Sequence, residues 1–295
     1  MQSVDILNLL KRIVAHPLFL FVIGFIFFTV QYGLSQGVML FVDQRTAMAD
    51  GIVFLITLML GILMLVIYQL FGRFIEQRTT HDVSRSGALR EWSFGVLVGF
   101  AAMSLTIGAI ALFGGYRITG FNGFMPLIGA LPMATISGIC EEIIFRGIMF
   151  RLIERWLGSW AALALSSLFF GLVHLGNDNA TWLAGFAIAL EAGILLGAVY
   201  MLTRRLWAAI GLHMAWNFAQ GGVYGVAVSG FSFKGMLSAN MSGSVLLTGG
   251  AFGAESSLAA MIICTMIGLF FLYRAYRSGQ FIAPSWHRFK TGEAA

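Results

Sequence analysis

The stretch Glu-Glu-Ile-Ile-Phe-Arg-Gly, at residues 141–147, combines three charged side chains with strongly apolar surroundings. It lies inside an apolar run that extends from about Phe124 to Leu152. A charged side chain near the centre of a bilayer costs roughly 2.5–3.5 kcal/mol on insertion scales, and such residues usually mark a functional site. The stretch therefore predicts a buried polar centre within a membrane-embedded chain.

The composition indicates the class of protein. Of the 295 residues, 59% are hydrophobic and only 11% are charged, whereas soluble globular domains carry about 25% charged residues. An all-α, polytopic membrane protein is therefore predicted. The 36 glycines agree with this prediction, because small residues let transmembrane helices approach closely. Cys140 and Cys264 both lie in apolar segments, so no disulfide framework is indicated.

About eight segments have the roughly 20 apolar residues that a helix needs to cross the hydrocarbon core. They are residues 18–39, 51–72, 93–114, 124–152, 160–176, 181–202, 206–227 and 256–274. These spans are interpreted as one integral-membrane domain over residues 1–295. A short interfacial helix is predicted over residues 1–15, a cytosolic tail over residues 275–295, and a Gly- and Ser-rich loop over residues 228–255.

The distribution of Lys and Arg predicts the orientation in the membrane. One set of loops, together with the two chain ends, holds fourteen of these residues, whereas the other set holds Arg45, Arg117 and Lys234. Both termini are therefore predicted to be cytosolic, in a multi-pass protein of the cell (inner) membrane. The net charge of +5 mainly reflects this orientation, so a nucleic-acid partner is not expected.

Polar residues of different spans are predicted to reach similar depths. Counting about 1.5 Å per helical residue from the predicted cytosolic edges places four of them about 10–21 Å deep: Glu141, His174, His213 and Asn217. Residues four positions apart share a helix face, which applies to His213 with Asn217 and also to Glu142 with Arg146.

Each of these features has an ordinary structural alternative. His174, taken alone, is as well explained by a satisfied hydrogen bond between helices. Glu142 and Arg146 can be a purely structural ion pair. Glu191, in the middle of the sixth span, can line a cavity, pair with a histidine, or be protonated and bonded to a neighbouring helix. The shared depth of the whole set favours a site.

Three motifs occur intact and in order: Glu-Glu-x-x-x-Arg at 141–146, Phe-x-x-x-His at 170–174 and His-x-x-x-Asn at 213–217. Together they resemble bacterial members of the CAAX-protease and bacteriocin-processing family of intramembrane proteases, also called the abortive-infection family. The resemblance covers about residues 124–220, which are interpreted as the catalytic core. It implies an eight-helix membrane fold with a buried polar cavity open to the cytosol.

The resemblance also implies an activity and residue roles. Characterised members remove the C-terminal tripeptide from prenylated CAAX proteins. By position, Glu141 and His174 would activate a water molecule, while His213 and Asn217 would stabilise the oxyanion. Glu142 and Arg146 would support the site. Glu191 belongs to none of the three motifs, and its position in the middle of the sixth span makes it a second-tier candidate only.

The chemistry is also reasonable from the residue types. Peptide hydrolysis needs a base, and desolvation makes a carboxylate more basic. It also needs hydrogen-bond donors aimed at the developing oxyanion, which a histidine N–H and an asparagine amide can supply. The expected function is therefore an intramembrane endopeptidase that cleaves a peptide bond near a membrane-embedded or lipidated segment.

The cofactor and partners follow from the same interpretation. Metal-independent hydrolysis is favoured, so no cofactor is expected. If a divalent metal such as zinc takes part, its ligands would be Glu141, His174 and His213, although the His-Glu-x-x-His signature is absent. The expected partners are membrane lipids and a membrane-embedded or lipidated peptide substrate. The alternatives are a non-catalytic membrane scaffold or immunity protein of the same fold, and a proton-coupled transporter, since buried acids and histidines also form proton relays.

Overall fold

The computed structural model describes residues 14–45 and 50–287, and for residues 38–45 it describes the backbone alone. The predicted interfacial helix over residues 1–15 lies outside the described residues except at its last two positions. The chain is 75% helical with almost no sheet. The predicted all-α, polytopic membrane class is therefore confirmed.

Seven of the described helical segments are long and apolar enough to cross a membrane. Three helices precede the predicted catalytic core: α1 (Pro17–Arg45), α2 (Asp50–Phe74) and α3 (Ala88–Leu112). In the core, three π-helical segments continue or join α-helices: α4 (Met125–Glu142), Ile143–Phe150, α5 (Arg151–Leu157), α6 (Ser159–Val173), α7 (Trp182–Ile188), Ala189–Gly193, α8 (Ile194–Thr203), α9 (Leu206–Asn217) and Phe218–Val223. Two helices follow: α10 (Val245–Thr248) and α11 (Leu258–Arg277).

The predicted seventh span, residues 206–227, is the one that those seven segments do not include. It forms α9 and the π-helical segment after it, and it carries His213, Asn217 and Gln220. These three side chains are at most 7% exposed. Their burial shows that this helix is enclosed by protein, where polar side chains are tolerated at membrane depth.

Glycines allow α9 to lie directly against α3. A Cβ atom on Gly95 would lie 2.0 Å from the carbonyl oxygen of Ala208, and one on Gly211 would lie 2.2 Å from that of Trp92. Any larger residue at these two positions would push the helix backbones apart. Close helix contact through small residues is typical of membrane proteins, and here it fixes the helix that carries His213.

Large apolar side chains cover the outer surface of the first three helices. Met59 and Leu97 are each 70% exposed, and Leu112 is 87% exposed. Such a surface is stable when lipid chains surround it. This arrangement agrees with membrane lipids as partners of a multi-pass membrane protein.

A small two-stranded sheet lies within the segments that the sequence predicts as loops. β1 (Tyr116–Phe121) pairs antiparallel with β2 (Leu237–Met241), and the register places Tyr116 opposite Met241. The ladder is irregular between Ile118 and Gly120. The loop over residues 228–255 is therefore partly ordered by strand pairing, which its Gly- and Ser-rich composition did not indicate.

Ion pairs connect helix ends that lie on the same side of the protein. Glu76 accepts from Arg151 at 2.6 Å and also pairs with Arg78. Burial opposes the charge on Arg78, but Tyr68 and Asp82 outweigh that effect, so the pKa of Arg78 is raised. This charged layer lies at the edge that the Lys and Arg distribution predicts to be cytosolic.

Candidate active site

Three helices bring the motif residues together. α4 ends at Glu142, α6 ends one residue before His174, and α9 carries His213 and Asn217. Hydrogen bonds and ring contacts link these helix ends. The motifs are far apart in sequence, and the structure places them in one region of the protein interior.

Glu142 lies at the centre of the site and is fully buried. Its Oε1 atom accepts a hydrogen bond from Arg146 Nη1 at 3.0 Å and another from His213 Nδ1 at 2.9 Å. The donor on the imidazole must be Nδ1–H, because an ionised carboxylate can only accept. The predicted pair of Glu142 and Arg146 is present, and Glu142 in addition orients His213.

Arg146 connects the centre of the site to the sixth predicted span. The side chain is fully buried, and Nη2 donates to the carbonyl oxygens of Ala192 at 3.2 Å and Gly193 at 3.3 Å. The guanidinium carbon lies 4.6 Å from the ring centroid of Phe170, a distance typical of a cation–π contact. Arg146 therefore contacts α6 and the π-helical segment Ala189–Gly193 as well as its own helix.

Glu141 makes contacts that differ from those of Glu142. Its Oε1 atom accepts a hydrogen bond from the Tyr32 hydroxyl at 3.0 Å, and Tyr32 in turn accepts from Gln36 Nε2 at 2.9 Å. Its Oε2 atom is buried without a hydrogen-bond partner among the described residues. The nearest ionisable partner of Oε2 is His213 Nε2 at 3.9 Å, which is too far for a direct hydrogen bond. One carboxylate oxygen is therefore free to bind water.

His174 is held by its own motif. Its Nδ1 atom lies 2.7 Å from the carbonyl oxygen of Phe170, so Nδ1 carries the hydrogen and Nε2 of the neutral ring carries a lone pair. The rings of Phe170 and His174 are 4.8 Å apart. His174 also lies within electrostatic range of Glu141, His213 and Arg146. The Phe-x-x-x-His motif thus fixes the tautomer and position of His174.

Asn217 is hydrogen-bonded to α4. Its Nδ2 atom donates to Ser137 Oγ at 3.0 Å, and Ser137 in turn donates to the carbonyl oxygen of Met133 at 2.8 Å. An asparagine amide has two donor hydrogens. The second has no oxygen or nitrogen partner in the part of the chain that the structure describes, although Met133 Sδ lies 3.9 Å away. Asn217 can therefore still donate one hydrogen bond.

A cavity of about 20 Å³ lies beside the histidines, which is room for about one water molecule. Polar groups from four segments line it: His174, Glu191, His213, Asn217 and Ser229. Glu141 does not line this cavity, but His213 does, and its Nε2 faces Glu141. Glu191 lines this cavity, as one of its alternatives predicts, and it is also hydrogen-bonded to Cys264 of the neighbouring helix α11.

Glu191 in the cavity wall has a second acid, Glu255, near it. Glu191 is 1% exposed, its Oε1 atom has no hydrogen-bond partner among the described residues, and Cys264 bonds to its side chain. Glu255 lies close enough to interact with it electrostatically. Burial raises the pKa of Glu255 to about 8, although the backbone N–H of Ser229 opposes this effect. Gln220 also donates to Glu255.

The site also contains features that sequence reasoning missed. Tyr32, Gln36 and Ser137 belong to none of the motifs, although a tyrosine and a glutamine four residues apart in an apolar helix are a signal that could have been used. In addition, each π-helical segment adjoins or contains a site residue: Ile143–Phe150 follows Glu142, Ala189–Gly193 contains Glu191, and Phe218–Val223 follows Asn217. Such segments frequently occur at functional sites.

The alternative metal ligands are not gathered into a metal centre. Among residues 14–45 and 50–287, no three His, Cys, Asp or Glu side chains are grouped so that they could hold one ion. His213 Nδ1 is already bonded to Glu142, and Nε2 lies 3.9 Å from Glu141.

These observations define a polytopic membrane protein with a buried site of acids, arginine, histidines and asparagine. Residues 123–219 match the family described as type II CAAX prenyl endopeptidase Rce1-like. The match confirms the predicted resemblance and almost coincides with the predicted range 124–220. At the level of the family, this match supports a CAAX-protease-like intramembrane endopeptidase. Comparison with curated proteins and with solved structures gives no match.

Proposed function

We propose that the chain hydrolyses a peptide bond near a membrane-embedded or lipidated segment, with a water molecule activated by Glu141 and His174. The observation that carries this proposal is the arrangement of Glu141. Tyr32 fixes one carboxylate oxygen, and the other is buried, unpaired and free to accept a hydrogen bond from water. A carboxylate oxygen with this free acceptor capacity can serve as a general base when a water molecule lies beside it.

In the proposed reaction, the water oxygen attacks the scissile carbonyl carbon while Glu141 takes the proton of the water. The carbonyl oxygen becomes an oxyanion in the tetrahedral intermediate. When the C–N bond breaks, the proton passes from Glu141 to the leaving nitrogen, so a carboxylic acid and an amine are formed. His174 Nε2, which carries a lone pair, accepts the second hydrogen of the water and orients it.

His213 and Asn217 are proposed to stabilise the oxyanion. After the bond of Asn217 to Ser137, the second amide hydrogen faces only the weak acceptor Met133 Sδ at 3.9 Å among the described residues, so an oxyanion can accept it instead. His213 already donates through Nδ1 to Glu142, so a second donation from Nε2 requires the doubly protonated ring. Two carboxylates and Arg146 then form a cluster with His213 that carries no net charge, which lowers the cost of burying it in the membrane.

The proposed function is tested with purified protein and a lipidated or transmembrane peptide. The wild type should cleave it, and both Glu141→Gln and His174→Ala should reduce kcat/KM by at least about 100-fold. Cys140→Ala is the matched control, because this buried neighbour of Glu141 is assigned no role and should be dispensable. Thermal unfolding should show that all variants are folded. Full activity of both site variants would show that the assignment is wrong.

The same assay tests the proposed metal independence. A strong chelator should leave the cleavage rate of the wild type within about twofold, since the proposed steps use protein groups. Loss of activity that zinc restores would instead support the alternative ligand set of Glu141, His174 and His213. A wild type that binds the peptide without cleaving it would favour the scaffold alternative.

The proposed orientation places both termini on the cytosolic side of the cell membrane. Ser242 and Ser278 are both exposed and lie on opposite sides in this topology. In intact cells, an impermeant thiol reagent should label Ser242→Cys and should label Ser278→Cys only after permeabilisation. The native cysteines Cys140 and Cys264 are buried and should give little background. The reverse labelling pattern would contradict the orientation.

A further inference from the structure

α1 carries two polar side chains on one face within an apolar helix. Tyr32 and Gln36 are four residues apart, and the Tyr32 hydroxyl reaches Glu141 at 3.0 Å. The two residues lie well outside residues 123–219, so neither the motifs nor the family match assigns them a role. The first helix thereby contributes directly to the site of the matched domain.

The hydrogen-bond directions along this chain of contacts are determined. A phenol has one hydrogen to donate and an oxygen that can accept. Because the Gln36 amide donates to the Tyr32 oxygen at 2.9 Å, the phenolic hydrogen is available for the carboxylate of Glu141. Tyr32 therefore binds Oε1 and leaves Oε2 unoccupied.

Other ionisable or charged groups surround Glu141 without bonding to it. They come from the residue after α6, from α9, and from α4 and the π-helical segment that continues it: His174, His213, Cys140, Glu142 and Arg146. Within the described ranges, only Tyr32 donates a hydrogen bond to Glu141.

A glutamate carboxylate rotates easily about its terminal bond, because this torsion has broad minima. Without Tyr32, rotation would let an oxygen of Glu141 close the 3.9 Å gap to His213 Nε2 and form a direct ion pair. Glu141 would then be paired with His213 and could not accept a proton from water, and His213 Nε2 could no longer donate to the oxyanion. The contact with Tyr32 prevents both changes.

We propose that Tyr32, oriented by Gln36, is a positioning residue that holds Glu141 with Oε2 turned to the attacking water. This inference rests on the proposed function. It predicts an effect on the chemical step and not on substrate binding, since neither residue is part of the proposed oxyanion site. α1 is thus part of the catalytic apparatus of the full chain.

The test compares steady-state cleavage by the full-length wild type and three variants. Tyr32→Phe should lower kcat by about tenfold to a hundredfold, the range expected for a displaced catalytic group, while KM stays within about twofold. Gln36→Leu should give a smaller decrease in kcat, because it removes the hydrogen bond that orients Tyr32 but keeps the Tyr32 hydroxyl that binds Glu141. Tyr224→Phe is the matched control, since its hydroxyl donates to Ser104, and it should keep the wild-type kcat.

The outcomes separate this inference from the proposed function. If the wild type cleaves no peptide, both the proposed function and this inference are wrong. A wild type that cleaves while Tyr32→Phe keeps full kcat overturns this inference alone, as does an equal loss in Tyr224→Phe. If Tyr32→Phe does not fold, Gln36→Leu decides: unchanged kcat in that variant rejects the proposed orientation.

Discussion

Replacement of Arg146 by methionine should strongly destabilise the protein. The guanidinium pairs with Glu142 at 3.0 Å, donates to two carbonyl oxygens and packs on Phe170 at 4.6 Å. Removing one partner of a buried ion pair costs about 3–5 kcal/mol, because the other charge stays buried without compensation. Methionine fills irregular apolar space well, so the loss of volume adds little. We expect Arg146→Met to lower the free energy of unfolding by about 3–5 kcal/mol.

The assay is reversible unfolding in mixed micelles, with helix content followed as the denaturing detergent increases. Arg277→Met is the control, because Arg277 is exposed at the end of α11, and its effect should stay within about 0.5 kcal/mol. Adding Glu142→Gln to Arg146→Met should recover about 1–3 kcal/mol, since it removes the unpaired charge. A loss below about 1 kcal/mol for Arg146→Met, or a double variant no more stable than the single one, would refute this reasoning.

Three further predictions concern packing, pH and the cavity. Gly211→Ala should cost about 3 kcal/mol or more, because its Cβ would meet the carbonyl oxygen of Trp92 at 2.2 Å, whereas Gly108→Ala, with open space around it, should be neutral or stabilising in the same unfolding assay. The folded protein should keep a proton on Glu255 up to its pKa of about 8, while the unfolded chain releases it near 4.5. Stability should therefore fall as the pH rises between these values, and thermal unfolding of Glu255→Gln should lack this part of the pH dependence. Glu191→Gln should lower kcat/KM by about tenfold, less than Glu141→Gln, with unchanged unfolding; an effect below twofold would show that this cavity wall is not needed for cleavage.

The sequence predicted the features that depend on local composition and spacing. Apolar length identified the spans, and the four-residue spacing of Glu142 and Arg146 predicted the ion pair that the structure contains at 3.0 Å. Helix geometry alone also predicted similar depths for Glu141 and Asn217, about 15 Å and about 16 Å. These signals lie within single segments of the chain, so they can be detected without knowledge of the tertiary structure. The catalytic roles of the residues stay predictions.

The features that the sequence did not predict depend on contacts between distant segments. Tyr32 and Glu141 are 109 residues apart, and only helix packing brings them together. Asn177 and Asn179 donate to the carbonyl oxygens of Ser229 and Gly230, so the loop over residues 228–255 is fixed against the end of α6. No periodicity in either segment encodes such a contact.

The three π-helical segments have a consequence for how this site can change during evolution. A π-helical turn holds about one residue more than an α-helical turn, and loss of one residue from an α-helix rotates everything beyond it by about 100°. Deleting a single residue from Ile143–Phe150 would therefore alter the relative orientation of Glu142 and the rest of its helix. Lineages of this protein should accept substitutions within these segments more readily than insertions or deletions.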